Sequence, residues 1–466
     1  MWSFGPFFIL AVIVERSHAL VVRGTRFQSR DQTNGVTLHS IADDGLDLRY
    51  TTNLTVNGQN FNAIIDTGSS DIWVIPPADF TFDNTGIPIL APFGGGNVSG
   101  VIGFGTVGLG SYTVQQQVFQ NATFIDVGLV EDLGINALIG LAFESTQTSP
   151  LTATLEANGS NPIAGNPFLY NIFAQTPGQD NFVGISLSRT DDLEGTADAS
   201  FTINELDPTY AGVVNAPTIP VVAGIIDRWR ILVDNISVNG VNVPFPSSAL
   251  SNAPAGSLVT ILDTGTPTAA IPAQVISSVF SQIPGAVFKV VDGLVLEGSP
   301  IAEQVWTVPC NTTTIVSVGM GGQSFPIHPL DLSAVFINNV TNVATCVSQW
   351  SPGPANPDDF DMIFGDSFMR NFYTVFNFGD DVSQAPAGSS IQLLSQTNPT
   401  SAQQDVAKVR TAQIAAASSA AGAPAATAAG GGPAATSPAT KHSGQPRLVV
   451  SRCILFLFTI FAFALQ

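Results

Sequence analysis

One hexapeptide occurs twice in this chain, and the repeat limits the possible folds more than any other feature. Ile64-Ile65-Asp66-Thr67-Gly68-Ser69 returns in the second half as Ile261-Leu262-Asp263-Thr264-Gly265-Thr266. Each copy is followed later by two apolar residues and a glycine: Leu138-Ile139-Gly140 after the first, Ile363-Phe364-Gly365 after the second. A single Asp-Thr-Gly is a common strand-to-turn tripeptide and carries little weight. Two copies with matching followers describe a duplicated lobe. In each copy the apolar pair anchors a buried strand, the glycine permits a tight turn, and the aspartate is held at the strand's end. Duplication brings the two turns together across a pseudo-twofold axis, where the hydroxyls of Thr67 and Thr264 can brace the opposite loop. Two carboxyls that close cannot both ionise cheaply, so they share a proton, titrate as a unit and favour work in acid.

The surrounding sequence suits such a lobe. Residues 48–394 are short Val/Ile/Phe/Thr runs separated by Gly, Asn, Pro and Asp, the signature of an all-β body with many turns. Helical patterning is clear only over 273–282 and weakly over 367–372. A chain of 466 residues also exceeds one small core. The expected organisation is a signal peptide (1–19), a short pro-region (20–49), an N-terminal lobe (50–225), a C-terminal lobe (226–395), a linker or stalk (396–446) and a hydrophobic end (447–466). The pro-region carries Arg23, Arg26, Arg30 and Arg49.

Charge excludes some functions. Only 11% of residues are charged, 35 acidic against 15 basic, which argues against a nucleic-acid binder, since that needs Lys and Arg to replace phosphate counterions. Lys289 is the only lysine before residue 400. A body with so few cations gains little positive charge when its carboxylates protonate, so acid self-repulsion stays small. Solubility alone would also account for an acidic surface. No Cys/His cluster suggests a metal, and no cofactor is expected.

The termini point to export. Residues 4–14 are mainly apolar, and Ser17-His18-Ala19 resembles the end of a cleavage site. Sequons stand at Asn53, Asn97, Asn121, Asn158, Asn235, Asn311 and Asn339. Of three cysteines, Cys453 lies in the hydrophobic end, which leaves Cys310 and Cys346 as the pair expected to join in an oxidising compartment, with two buried free thiols as the alternative. Residues 399–446 are largely Ala, Ser, Thr, Pro and Gly, with too little apolar surface to offset ordering, so a flexible stalk is expected there, an Ala-rich helix being the weaker alternative. Small residues, a polar spacer and the uncharged run 453–465 resemble a GPI-attachment signal, so a protein tied by lipid at the cell surface or wall is expected, with a retained membrane tail as the alternative.

From about residue 50 to 394 the sequence resembles the pepsin-like aspartic proteases. The stretch from Asp66-Thr67-Gly68-Ser69 through Trp73-Val74 looks like that family's first active-site loop, and Asp263-Thr264-Gly265-Thr266 like its second. Residues 137–143 and 363–376 match its two later lobe signatures. The resemblance implies a bilobal fold with a cleft between β-rich lobes joined near 220–229. It implies polypeptide substrates, a monomer, and catalysis by Asp66 and Asp263, which activate a water. Ser69 and Thr266 become outer hydrogen-bond supports, and a Cys310–Cys346 bond matches the family's second-lobe disulfide. It further implies a hairpin flap, and there the sequence departs. Phe93, ahead of Gly94, stands where the family has a tyrosine whose phenol would bond toward Trp73. A second departure is Pro267, directly after Thr266.

Other readings fit less well. A surface glycoprotein that keeps the fold as a binding module would suit the anchor and the missing phenol, but loss of function would most simply remove an aspartate, and both are present. A two-carboxylate glycosidase leaves the Thr-Gly framing of both aspartates unexplained. For a Ser/His/Asp hydrolase, only His328 of the four histidines lies within the body, where a structural role is the expectation.

Overall fold

The computed structural model describes residues 22–23, 38–43, 46–94, 96–127, 134–145, 147–160, 162–189, 199–223, 228–296, 299–337, 343–353 and 359–421. The expected signal peptide, most of the expected pro-region, Asn339, residues 422–446 and the hydrophobic end lie outside them.

The architecture is all-β and bilobal. The N-terminal lobe is built on an eight-stranded sheet, in the order His39–Asp43, Leu46–Val56, Gln59–Asp66, Ala137–Gly140, Ile72–Val74, Tyr112–Val127, Gly96–Leu109, Asp83–Phe93. Leu46–Val56 also pairs with Gly96–Leu109, so the sheet curls back on itself. The C-terminal lobe holds a five-stranded sheet, in the order Arg230–Val233, Leu258–Leu262, Met362–Phe364, Ala269–Ile271, Trp350–Pro352, and two four-stranded sheets. A six-stranded sheet joins the lobes: Phe182–Ser186 pairs antiparallel with Phe372–Asn377.

The sequence repeat is a structural repeat. In the first lobe Gln59–Asp66 runs parallel to Ala137–Gly140, with Ile65 opposite Ile139 and Asp66 opposite Gly140. In the second, Leu258–Leu262 runs parallel to Met362–Phe364, with Ile261 opposite Ile363 and Leu262 opposite Phe364. The return strands Ile72–Val74 and Ala269–Ile271 then pair antiparallel with the same partners. Buried on both faces, Leu258–Leu262 reads as an apolar run interrupted only by Thr260, where a half-exposed strand would alternate. The closing glycines follow from sterics. A Cβ on Gly140 would lie 2.4 Å from the carbonyl carbon of Ser70, and one on Gly365 would lie 2.1 Å from the carbonyl oxygen of Thr266. Each aspartate loop therefore rests directly on the glycine of its follower motif.

Between the lobes sits an aromatic core. Trp229 is fully buried, its ring 4.1 Å from Phe143 and 4.8 Å from Phe378, and its indole N–H donates to the carbonyl of Leu141 at 3.1 Å. Cys310 and Cys346 form a disulfide that ties adjoining strands of the C-terminal lobe.

Two segments differ from the sequence reading. Residues 399–421, expected as the start of a flexible stalk, form the helix Pro399–Ala421 packed on the C-terminal lobe. Ala402, Asp405, Val406, Val409 and Arg410 are buried, a stripe at helical spacing that composition alone conceals. Val406 and Val409 cluster with Leu330, and Arg410 donates to the carbonyls of Leu330 and Ser333. The body thus runs past residue 395. At the other end, Arg49, expected in the pro-region, belongs to the strand Leu46–Val56 and is buried.

A buried polar hub links these parts. Asp331 accepts from Arg189 at 2.6 Å, Arg370 at 3.0 Å and Asn371 at 3.0 Å, and the two guanidiniums hold its carboxyl well below the usual carboxylate range. His328 is fully buried beside it. Its Nδ1 accepts from the N–H of Leu330 at 3.2 Å, and burial, reinforced by the charge of Arg189, lowers its pKa to about 2. The ring stays neutral and serves structure.

Candidate active site

Asp66 closes the strand Gln59–Asp66, and Asp263 follows Leu258–Leu262, so each carboxyl stands at the end of a buried strand that cannot shift without breaking its sheet. Their loops interlock. Thr67 Oγ1 donates to the carbonyl of Leu262 at 2.8 Å and accepts from the N–H of Thr264 at 3.0 Å. Thr264 Oγ1 returns both bonds, donating to the carbonyl of Ile65 at 2.7 Å and accepting from the N–H of Thr67 at 3.0 Å. All four groups are fully or almost fully buried, where an unmade bond is costly.

The two carboxyls are held alike. Asp66 Oδ1 accepts from the N–H of Gly68 at 2.8 Å and Oδ2 from Ser69 Oγ at 2.5 Å. Asp263 Oδ1 accepts from the N–H of Gly265 at 2.8 Å and Oδ2 from Thr266 Oγ1 at 2.8 Å. They also lie close together: a Cβ on Gly68 would be 2.5 Å from Asp263 Oδ1, and one on Gly265 would be 2.4 Å from Asp66 Oδ1. Burial, the neighbouring charge of Asp263 and a hydrogen bond between the two side chains push Asp66 up to about 7. The pair therefore keeps a proton throughout the acid range, leaving one carboxyl able to donate and one able to accept. Pro267 is tied into the loop through its carbonyl, which accepts from the N–H of Ser367 at 3.0 Å, and the N–H of Gly365 donates to the carbonyl of Thr268 at 3.0 Å.

The hairpin of Asp83–Phe93 and Gly96–Leu109 carries Phe93 and Gly94, while Trp73 lies on the strand Ile72–Val74. Phe93 pairs with Gly96 at its tip, next to Gly94, and packs against the cluster of Ile64, Trp73, Val98 and Leu138. Trp73 is 2% exposed and its indole N–H has no hydrogen-bond partner. Phe93 thus packs on the apolar cluster that contains this unpartnered indole. Of the sequons, Asn53, Asn97, Asn158 and Asn311 are exposed, and Asn121 and Asn235 are half-buried. Among the described residues no cluster of His, Cys, Asp and Glu is placed to hold a metal ion.

Of three charged groups near the loops, Arg49 was expected in the pro-region, and the roles of Arg228 and Asp71 were missed by sequence reasoning. Arg49 is buried where the charges of Asp366, Asp263 and Asp66 act on it. Arg228 donates to the carbonyl of Gly68 at 2.8 Å. Asp71, five residues after Asp66, is buried and accepts from Ser149 Oγ at 2.5 Å and the N–H of Leu151 at 2.9 Å. The scarcity of arginine in the body is the signal that could have drawn attention to Arg49 and Arg228.

A two-lobed β fold that brings one carboxyl from each half to a shared pseudo-twofold junction defines the pepsin-like class. The sequence model for eukaryotic aspartyl proteases matches residues 76–387, more than half of the chain, and the chain belongs to that family. Among curated relatives it is similar to major aspartyl peptidase 1 of Cryptococcus neoformans var. grubii (27% identity, covering 76% of this chain and 71% of that protein). It is also similar to aspartic-type endopeptidase ctsD of Aspergillus fumigatus (27%, 78% and 70%) and to pepsin A of Sus scrofa (25%, 71% and 79%).

Proposed function

We infer that this protein is an aspartic endopeptidase that hydrolyses peptide bonds of polypeptides in acid, with Asp66 and Asp263 as its catalytic pair. The observation that carries the assignment of residues is the matched support of the two carboxyls, each held by one glycine N–H and one hydroxyl, on loops locked by Thr67 and Thr264.

The arrangement fits water attack on a peptide carbonyl. The ionised carboxyl takes a proton from water as its oxygen bonds to the carbonyl carbon, and the protonated carboxyl gives its proton to the carbonyl oxygen. The tetrahedral adduct then transfers a proton to the amide nitrogen through the pair, the C–N bond breaks, and amine and acid leave with the dyad again holding one proton. Ser69 and Thr266 keep the outer oxygens fixed while the proton moves between the inner ones. The hydrogen bonds from Gly68 and Gly265 hold the carboxyl planes in place, so little reorganisation accompanies each step.

In this reading the protein is a monomer, exported and surface-held. The apolar N-terminal stretch, the exposed sequons, the Cys310–Cys346 bond and the small-residue spacer before an apolar end support export and a GPI anchor. No described helix is long and apolar enough to cross a membrane. Titration with a statine-type peptide inhibitor tests the activity: stoichiometric loss of peptide hydrolysis in acid is expected, and full activity under saturating inhibitor would exclude the dyad mechanism. Release of the cell-bound protein by phosphatidylinositol-specific phospholipase C tests the anchor.

A further inference from the structure

Arg228 sets a guanidinium against the first active-site loop. Its Nη1 donates to the carbonyl of Gly68, the residue whose own N–H holds Asp66 Oδ1 and whose Cα abuts Asp263. The positive charge therefore lies one residue from both carboxyls of the dyad.

The rest of its surroundings leave part of the guanidinium open. Nε faces Asp359 Oδ2 at 3.3 Å, and the Phe360 ring centre is 5.9 Å from Cζ. Asp359 is shared, because the fully buried Arg230 is its closer partner. Arg230 is sealed from solvent, while the Arg228 side chain is 25% exposed. Asp361, on the same strand approach, is occupied by Ser248 Oγ and the N–H groups of Ala249 and Val259. Among the described residues, Nη2 donates to nothing. A planar fork with unused donors is suited to a carboxylate in geometry as well as charge.

Resting on the endopeptidase reading above, we propose that Arg228 is a specificity residue that binds an aspartate or glutamate side chain of the substrate on one side of the scissile bond. The dyad sets a pH window for this. A guanidinium is charged across the whole acid range, whereas a substrate carboxyl ionises near pH 4. The preference therefore exists at pH 5 and fades at pH 3, while the dyad, which keeps its proton at both, cleaves neutral peptides at both.

The test uses peptide pairs that differ only by Asp/Asn or Glu/Gln at each position flanking the cleaved bond, with kcat/KM measured at pH 5 and pH 3. For the wild-type enzyme the acidic member is expected to lead by roughly tenfold at one position at pH 5 and to fall near parity at pH 3. In Arg228→Gln the pH 5 ratio should collapse toward one, whatever the overall rate. Arg228→Lys, which keeps the charge but not the fork, should retain part of it, and it carries the test with the wild-type pH comparison if the glutamine variant does not fold. Absence of any acidic preference in the wild type at pH 5, or its persistence in Arg228→Gln, overturns the proposal. Failure of the wild type to cleave any peptide would instead remove the endopeptidase reading itself.

Discussion

Thr67 and Thr264 exchange two hydrogen bonds each way across the lobe junction, each hydroxyl accepting the other's N–H and donating to a carbonyl beneath the other's loop. Because both loops are buried, valine at either position would leave an N–H and a carbonyl unsatisfied. Thr67→Val or Thr264→Val is expected to cost about 2–6 kcal/mol, on the order of 1–3 for each stranded group. Denaturant unfolding measures the loss. A change below about 0.5 kcal/mol would mean that the loops are held by something else.

Neutral pH should loosen the N-terminal lobe. Burial, with a contribution from Glu144, pushes Asp71 up to about 7 against its bonds to Ser149 and Leu151. A folded pKa above the unfolded one means stability that is fully present below about pH 4 and is lost as pH rises through 7. Asp66 is raised in the same direction. Thermal unfolding should therefore move to lower temperature between pH 4 and pH 7. Asp71→Asn, whose amide can serve both Ser149 and Leu151, should flatten that slope.

The orphan indole of Trp73 makes Phe93 a site where one added oxygen should help. Phe93→Tyr offers the N–H an acceptor and is expected to add about 0.5–1.5 kcal/mol of positioning, a several-fold gain in turnover. Asn97→Gln, which removes the sequon beside the hairpin tip, should help chiefly with folded protein substrates. Comparing a short peptide with a folded substrate separates the two effects, and wild-type rates for both variants would show that the hairpin does not close over substrate.

Residues 399–421 should behave as part of the body. Arg410→Ala removes donors to the carbonyls of Leu330 and Ser333, and Val406→Asp puts a charge against Leu330. Each is expected to lower stability by about 2–4 kcal/mol. A stalk would tolerate both without any change in melting temperature.

These outcomes reflect what a sequence makes visible. The dyad, its hydroxyl supports and the follower glycines were legible because duplication displays the same local solution twice, with sterics that only glycine satisfies at Gly140 and Gly365. The terminal helix stood only as the weaker alternative to a stalk because its buried positions are mostly small or charged. Ala402, Asp405 and Arg410 carry no apolar signal until Leu330, Ser333 and His328 are placed opposite them. Arg49 was assigned to the pro-region and Arg228 was missed for a related reason: a cation's place in the fold is defined by partners distant in sequence, such as Asp359 for Arg228, and no local pattern announces them.

The central claim is that Asp66 and Asp263 act as one catalytic unit, and isosteric replacement tests it most directly. Asp66→Asn and Asp263→Asn keep shape and can keep the flanking hydrogen bonds, but neither can share the proton. With the fold verified by an unchanged unfolding transition in acid, kcat/KM on a quenched peptide at pH 4 should fall by roughly a thousandfold or more in each single variant, and the double variant should be scarcely worse than either. Retention of activity within about tenfold of wild type by either single variant would contradict the assignment.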